Sequence, residues 1–299
     1  MESLKSANGP VLWSATPTPL DENWEIDQES LGKLLQFQLA LGVKGFFVSG
    51  TCGEGPWITN KQRHTLISSA RESVGPNVPL MAQVTENSAV RILENIRAAK
   101  DAGADMAVIA EVMFYLSPTE KNLLKIYSEA VEKSELPVVF YCRGKHANIP
   151  TPDSVFEKLM QHPNVVAVKD SSGDENKTRA IFAARDARPE LAAFSGDENR
   201  CLEYLRKGYD GLLIGGATFN GPLVMELINS VNDAAKAEQI DDAIRALNLR
   251  IYGEGFRWWI AGLKRFMLQK GLAKSENHHL RLELPDALRA EVDAFAAGR

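Results

Sequence analysis

Cysteine is scarce. The 299 residues hold three, Cys52, Cys142 and Cys201, and none has the C-x-x-C spacing of a redox or zinc motif. A disulfide-stapled fold is excluded, and the sparse, odd set points to a reduced, cytoplasmic chain. Long apolar runs are lacking too. No stretch approaches the roughly 18 residues of a membrane span. Met1–Pro10 has no apolar centre of the kind a secretory leader carries, so no membrane partner and a cytoplasmic location are expected. Basic charge is in deficit: 34 Lys plus Arg against 39 Asp plus Glu leave −5, a poor match to nucleic acid. The five histidines are scattered and no H-E-x-x-H occurs, so no metal is expected. His64 reads as an exposed helix start and His278-His279 as surface.

What is present is a slow rhythm of short apolar runs rich in Val, Ile and Phe. They are Pro10–Ala15, Gly45–Val48, Pro79–Ala82, Met106–Ile109, Pro137–Tyr141, Val165–Lys169, Leu191–Phe194 and Gly211–Ile214. They are too short for buried helices and read as buried parallel strands. Helical patterns lie between them, including Ser30–Leu41, Ala89–Ala102 ended by Gly103, and Pro118–Glu132 with Pro118 in the first turn. A period of roughly 20 to 35 residues is that of a βα unit, and eight units predict a (β/α)8 TIM barrel. An open dinucleotide-binding sheet fits less well, because Thr16-Pro17-Thr18-Pro19 follows the first strand instead of a Gly-x-Gly-x-x-Gly turn. Residues 1–220 are assigned to the barrel. Residues 221–299 read as helices only and are expected to pack on it, with Trp258-Trp259 in core or subunit packing.

Function in such a barrel sits at the C-terminal ends of the strands. Lys169 closes Val165–Val168 and should reach the barrel mouth. Apolar walls disfavour its ammonium, leaving an amine able to attack a carbonyl. The competing reading is a strand-end lysine in water or paired with Asp170. Tyr141 ends the preceding strand, where a phenol can relay protons or merely bridge core and solvent. Gly50-Thr51-Cys52-Gly53-Glu54-Gly55 is a turn whose N–H groups suit a carboxylate. Gly215-Gly216 has the character of a barrel phosphate site. The pentapeptide Ser-Gly-Asp-Glu-Asn occurs twice, at 172–176 and 195–199. The first copy reads as a helix start, and the second as either a cap or a set of ligands for a polyhydroxylated substrate.

Together Gly50-Thr51-x-Gly53-Glu54, the strand-five tyrosine and Val168-Lys169-Asp170-Ser171 resemble the pyruvate-dependent Schiff-base aldolases. That superfamily includes dihydrodipicolinate synthase and N-acetylneuraminate lyase. The resemblance runs from Ala15-Thr16-Pro17 to Leu280-Arg281-Leu282. It implies that Lys169 forms an imine with a 2-oxo acid and that Tyr141 relays protons. It further implies that Thr51 links Tyr141 to Tyr115 of a neighbouring subunit, and that the turn at Gly50, Thr51 and Cys52 holds the substrate carboxylate. Arg143, Gly196, Glu198 and Thr218 are the remaining candidate substrate contacts. No cofactor is implied beyond the imine itself, and a homodimer or homotetramer is. The departures are Cys52 in place of a hydroxyl residue, and Tyr141-Cys142-Arg143-Gly144 in place of Tyr-Asn-x-Pro. The carboxylate-binding arginine of the synthase lies five residues past the tyrosine, where this chain has His146. Trp57 either walls the pocket or packs an interface. The leading expectation is therefore a lyase cleaving, condensing or dehydrating a 2-oxo-3-deoxy sugar acid. The alternative is the synthase reaction proper, and two weaker readings are a 2-oxo-acid-binding barrel without turnover and a phosphosugar-binding barrel.

Overall fold

The computed structural model describes residues 4–298; residues 1–3 of the N-terminal stretch lie outside them. The strands are β1 (Val11–Ala15), β2 (Gly45–Val48), β3 (Leu80–Gln83), β4 (Met106–Ala110), β5 (Val138–Cys142), β6 (Val165–Asp170), β7 (Ala192–Ser195) and β8 (Gly211–Ile214). They pair in parallel in chain order, and β1 pairs with β8 to close the barrel. The helices that follow them are α1 (Gln28–Ala40), α2 (Asn60–Val74), α3 (Ala89–Asp101), α4 (Glu120–Glu132), α5 (Asp153–Met160), α6 (Glu175–Ala187), α7 (Cys201–Arg206) and α8 (Ala217–Ser230). The chain continues as α9 (Ala234–Tyr252), α10 (Trp259–Gln269) and α11 (Asp286–Ala297). The expected TIM barrel with a C-terminal helical extension is what the chain builds.

Strand alternation divides the core in two. Trp13, Phe47, Met81, Val108, Val139, Ala167, Phe194 and Leu213 fill the barrel, while Phe46, Val48, Leu80, Ile109, Phe140, Val168 and Leu212 face the helices. Trp13 is wholly buried and packs its ring 5.6 Å from that of Phe194. Gly45 makes room for it, since a Cβ there would lie 2.4 Å from the indole. Alternation also fixes Lys169 as an inward position, two residues after Ala167.

Four strands begin one residue later than the apolar pattern suggested, and three of those runs open on a proline. In those three proline is the reason: Pro10, Pro79 and Pro137 have no N–H for a ladder. The carbonyls of Pro79 and Pro137 still accept from Phe46 and Ala107. Pro118 is corrected similarly. Thr119 caps α4 by accepting from Asn122 N, so the proline precedes the helix. Gly103 ends α3 as expected, at φ +98°, with Ala104 N–H donating back to Ala99 O.

Candidate active site

Lys169 is 6% exposed, with its Nζ 4.4 Å from the centre of the Tyr141 ring and 5.2 Å from that of Phe47. The two residues are direct register partners across β5 and β6. Asp170 does not pair with the lysine. It faces the helix layer, where its carboxylate accepts from Ser172 N, Ser172 Oγ and Tyr209 Oη. Glycine at 196 leaves room for the lysine: a Cβ there would lie 2.6 Å from Lys169 Cε and 2.2 Å from Ser171 Oγ, and would displace both side chains.

The turn after β2 is held under strain. Ser49 and Glu54 have φ of +51° and +58°. A Cβ on Gly55 would sit 1.6 Å from Ser49 O. What secures the turn comes from the C-terminal extension. Lys264 on α10 pairs with Glu54 at 2.7 Å, both side chains having no exposure. The lysine also donates to Thr18 O and Asn277 O, and His279 donates its N–H to the second Glu54 oxygen at 2.7 Å. Burial works against the ionised Glu54, but Lys264 and His279 outweigh it and hold the carboxyl below its ordinary range. His278 is buried, and its Nε2 accepts from Leu282 N. The reading of His278-His279 as surface is thus corrected: the polar coil around them packs between the first barrel loop and the glycine turn.

Opposite the turn, Glu198 sends its carboxylate to the N–H groups of Gly215 and Gly216, both at 2.9 Å, and accepts from Tyr252 Oη at 3.3 Å. Burial raises this carboxyl to about 7, against the pull of those two N–H groups and of Lys169. The N–H groups of the glycine pair are therefore already taken by the protein's own carboxyl, which leaves them no place for a phosphate. Cys52 borders the same space, since a Cβ on Gly215 would lie 2.9 Å from its Sγ. Burial and Glu198 push that thiol well up.

The repeated pentapeptide takes two roles. In the first copy Asp174 caps α6 by accepting from Asn176 N. In the second, Asp197 accepts from Asn199 N and pairs with Arg200, while Glu198 turns to Gly215 and Gly216. The other candidates fall unevenly. Thr218 is buried and accepts from Gln38 on α1, so its hydroxyl lies in the α1–α8 seam instead of the mouth. Thr51 is half-buried and makes no side-chain hydrogen bond to Tyr141 or Tyr115 among the described residues. Tyr115 is half-buried between Phe114, 66% exposed, and Leu116, 78% exposed. Trp57 is 41% exposed and His146 is exposed.

Sequence reasoning missed the contribution of α9. Asp241, Asn248 and Tyr252 lie on one face of that helix, and each binds the segment after β7: Leu202 N, Glu198 O and Glu198 Oε2. The signal was their spacing of seven and four residues. It also missed Glu111, a lone acid directly after the β4 apolar run, whose carboxylate accepts from Arg143 and Gly144 N–H.

A closed parallel barrel with an inward lysine on β6, a tyrosine beside it on β5 and a strained glycine turn on β2 defines a class: barrels equipped for imine chemistry on a small carbonyl acid. The comparisons narrow it. The pattern of the dihydrodipicolinate synthetase family matches residues 11–286, and the chain belongs to that family. It is 32% identical over 207 residues to a 4-hydroxy-tetrahydrodipicolinate synthase of Stenotrophomonas maltophilia, covering 69% of this chain and 68% of the relative. A synthase of the same name from Porphyromonas gingivalis is 26% identical over 273 residues, 90% and 89% of the two chains. Among solved structures, a dihydrodipicolinate synthase from Bacillus anthracis superposes with a TM-score of 0.86 at 21% identity, covering 97% and 98%. One from Acinetobacter baumannii, complexed with pyruvate, gives 0.84 at 24% identity, covering 97% and 99%. The family-level expectation thus stands. No group of three or more His, Cys, Asp or Glu among the described residues is arranged to hold a metal. No helix among them is long and apolar enough to cross a membrane.

Proposed function

We propose that this chain is a lyase that forms a Schiff base between Lys169 and pyruvate. The observation that carries the reading is the lysine itself: inward on β6, nearly without exposure, and 4.4 Å from the Tyr141 ring. The lysine amine attacks the keto carbon, the carbonyl oxygen leaves as water, and an imine remains. Tyr141 delivers the proton that departing oxygen needs. The imine is the electron sink: loss of a proton from the methyl carbon gives an enamine, which adds to an aldehyde carbon. Hydrolysis then returns the amine and releases product. The turn at Gly50, Thr51 and Cys52 serves the pyruvate carboxylate, with backbone N–H groups as donors because a thiol is a weak one.

The names of the relatives favour condensation of pyruvate with an amino aldehyde, the synthase reaction, over the sugar-acid reaction that the sequence put first. A specific observation keeps the sugar-acid reaction as the second reading. His146 stands where the synthase arginine is expected. A second copy of the chain suits the face around Tyr115, since Met113, Phe114 and Leu116 are exposed apolar residues beside it. A dimer or tetramer working in the cytoplasm is the proposed form.

The test is borohydride reduction in the presence of pyruvate, read by peptide mass spectrometry. A reduced adduct on Lys169, absent from Lys169→Ala, is the expected result. No adduct under conditions that label a control aldolase would sink the proposal. Coupled turnover with an amino aldehyde or with a sugar-acid panel then separates the two substrate readings.

A further inference from the structure

Gln83 ends β3 and is 6% exposed. Along that strand Met81 belongs to the barrel interior and Ala82 to the helix layer. Alternation makes 83 the next inward position. Its carboxamide oxygen is buried, and neither end of the amide makes a hydrogen bond among the described residues. The backbone around it is held from both sides. Ser49 Oγ donates to Gln83 O at 3.3 Å, Val84 N–H donates to Val108 O at 3.0 Å, and Asn95 donates to Val84 O at 3.2 Å. Thr85 Oγ1 accepts from Ala110 N–H at 2.7 Å. The strand end is pinned while the side chain it carries has no partner. A buried amide oxygen without a donor costs stability, and an apolar residue of the same shape would not. The fold alone gives no reason for a glutamine here.

Its place in the barrel supplies one. In a closed barrel of eight strands each row of register partners slips by about one residue per strand along the axis. Gln83 pairs with Val108, Val108 pairs with Val139, and Tyr141 lies two residues beyond Val139. Gln83 and Tyr141, two strands apart, therefore share a layer. Ala15 and Gly196 complete that layer and bring no polar side chain to it. Lys169 and Phe47 lie in the layer beneath. The lysine Nζ comes to 5.2 Å from the centre of the Phe47 ring, on the strand beside β3. The amine thus leans toward the side of the mouth from which Gln83 projects, and a ligand carried on it rises into the layer of the two polar groups.

We propose that Gln83 is a specificity-determining residue whose carboxamide holds the oxygen on the carbon two beyond the imine carbon. This rests on the Schiff-base reading of Lys169. Pyruvate bound as an imine offers carboxylate oxygens and a methyl group, so it brings no hydroxyl to the amide. The aldehyde partner supplies the missing atom. The enamine pair forms the carbon–carbon bond, and the carbonyl π pair moves to the aldehyde oxygen. That oxygen takes the proton that Tyr141 removed from the methyl carbon, and the imine is restored. The product hydroxyl is both donor and acceptor, so it matches the carboxamide edge whichever way the amide is turned. The ligand class is a 2-oxo acid with a hydroxyl at that carbon.

Three probes test this on the full-length protein by cyanoborohydride trapping: pyruvate, 2-oxopentanoate and 4-hydroxy-2-oxobutanoate. The last two have equal length and differ in a terminal methyl against a terminal hydroxyl. Label on Lys169 is counted whether it carries the whole acid or the pyruvate left by its cleavage. The wild type is expected to be half-trapped by the hydroxy acid at a concentration about tenfold below that for 2-oxopentanoate. Gln83→Met removes the amide at nearly equal volume and should shrink that ratio to roughly threefold or less, with a smaller change in the pyruvate value. Gln83→Asn should keep part of the preference. Gln83→Met should also melt at or above the wild type, because the orphaned amide oxygen has gone. A wild type indifferent to the hydroxyl overturns the proposal, as does a folded Gln83→Met enzyme that keeps the full preference. A Gln83→Met protein that does not fold, or that melts more than about 4 °C below the wild type, also overturns it, since the amide would then serve the fold. Failure of pyruvate to trap in the wild type would instead overturn the reading of Lys169.

Discussion

Replacing Lys264 by methionine removes one charge from a pair that has no contact with solvent. Glu54 then keeps its carboxylate, 0% exposed, with His279 as its remaining partner. Removing one member of a buried pair costs about 3–5 kcal/mol, because the other charge stays buried and unmatched. For a chain of this size each kcal/mol moves the melting temperature by about 2 °C, so Lys264→Met should melt roughly 6–10 °C lower. The double variant Lys264→Met/Glu54→Gln removes both charges and should recover at least about half of that loss. The acid limb gives a second handle. Glu54 is held below its ordinary value of 4.5 in the fold. Its stabilising contribution is whole above that ordinary value and is lost as the pH falls through the lowered one. The wild type should thus lose stability more steeply on acidification than the double variant. The pair anchors the strained turn after β2, so half-trapping by pyruvate should need about tenfold more ligand in Lys264→Met. Calorimetry and trapping on the same samples read both effects. A melting shift under about 2 °C, or a double variant no more stable than the single one, would refute the reasoning.

Two further outcomes follow from groups around the mouth. Glu198 is raised from 4.5 to about 7 by burial, so the folded state holds its proton more tightly than the unfolded chain. The associated stability is whole below about pH 4.5 and lost as the pH rises through about 7, a fall of roughly 1–3 kcal/mol. Denaturant titrations from pH 5 to 8 should show that decline in the wild type and a flatter profile in Glu198→Gln; equal slopes would contradict the assignment. The thiols of Cys52, Cys142 and Cys201 are all buried and pushed up. Iodoacetamide at pH 8 should leave the native protein unmodified and label it fully in denaturant; native modification of Cys52 would show a more open mouth than the one described.

The barrel was legible because every strand is buried on both faces and so writes itself as an unbroken apolar run. Lys169 was legible for the same reason, as a charge at the end of such a run. Some of what was not read was nevertheless written. Thr59 and Gln62 cap α2 reciprocally, a spacing visible in the chain. Glu198 could not be told from its twin Glu175, because identical pentapeptides diverge only through what lies opposite: Gly215-Gly216 in one case, Lys207 in the other. The Glu54–Lys264–His279 cluster joins residues more than 200 positions apart, beyond any local pattern. The place of Thr218 was not readable either, because the residue after Gly215-Gly216-Ala217 already belongs to α8, where its hydroxyl accepts from Gln38.

The helix α9 touches the loop after β7 through Asp241, Asn248 and Tyr252, and α10 reaches the turn after β2 through Lys264. Two walls of the mouth are thereby supported by chain that comes after the last strand. Barrel and extension form one heritable unit: a chimera that grafts a relative's helices onto these strands would carry over no new catalytic group, yet would alter which molecules the mouth accepts. Selection acting on α9 and α10 can retune the specificity of such an enzyme while every residue inside the barrel stays the same.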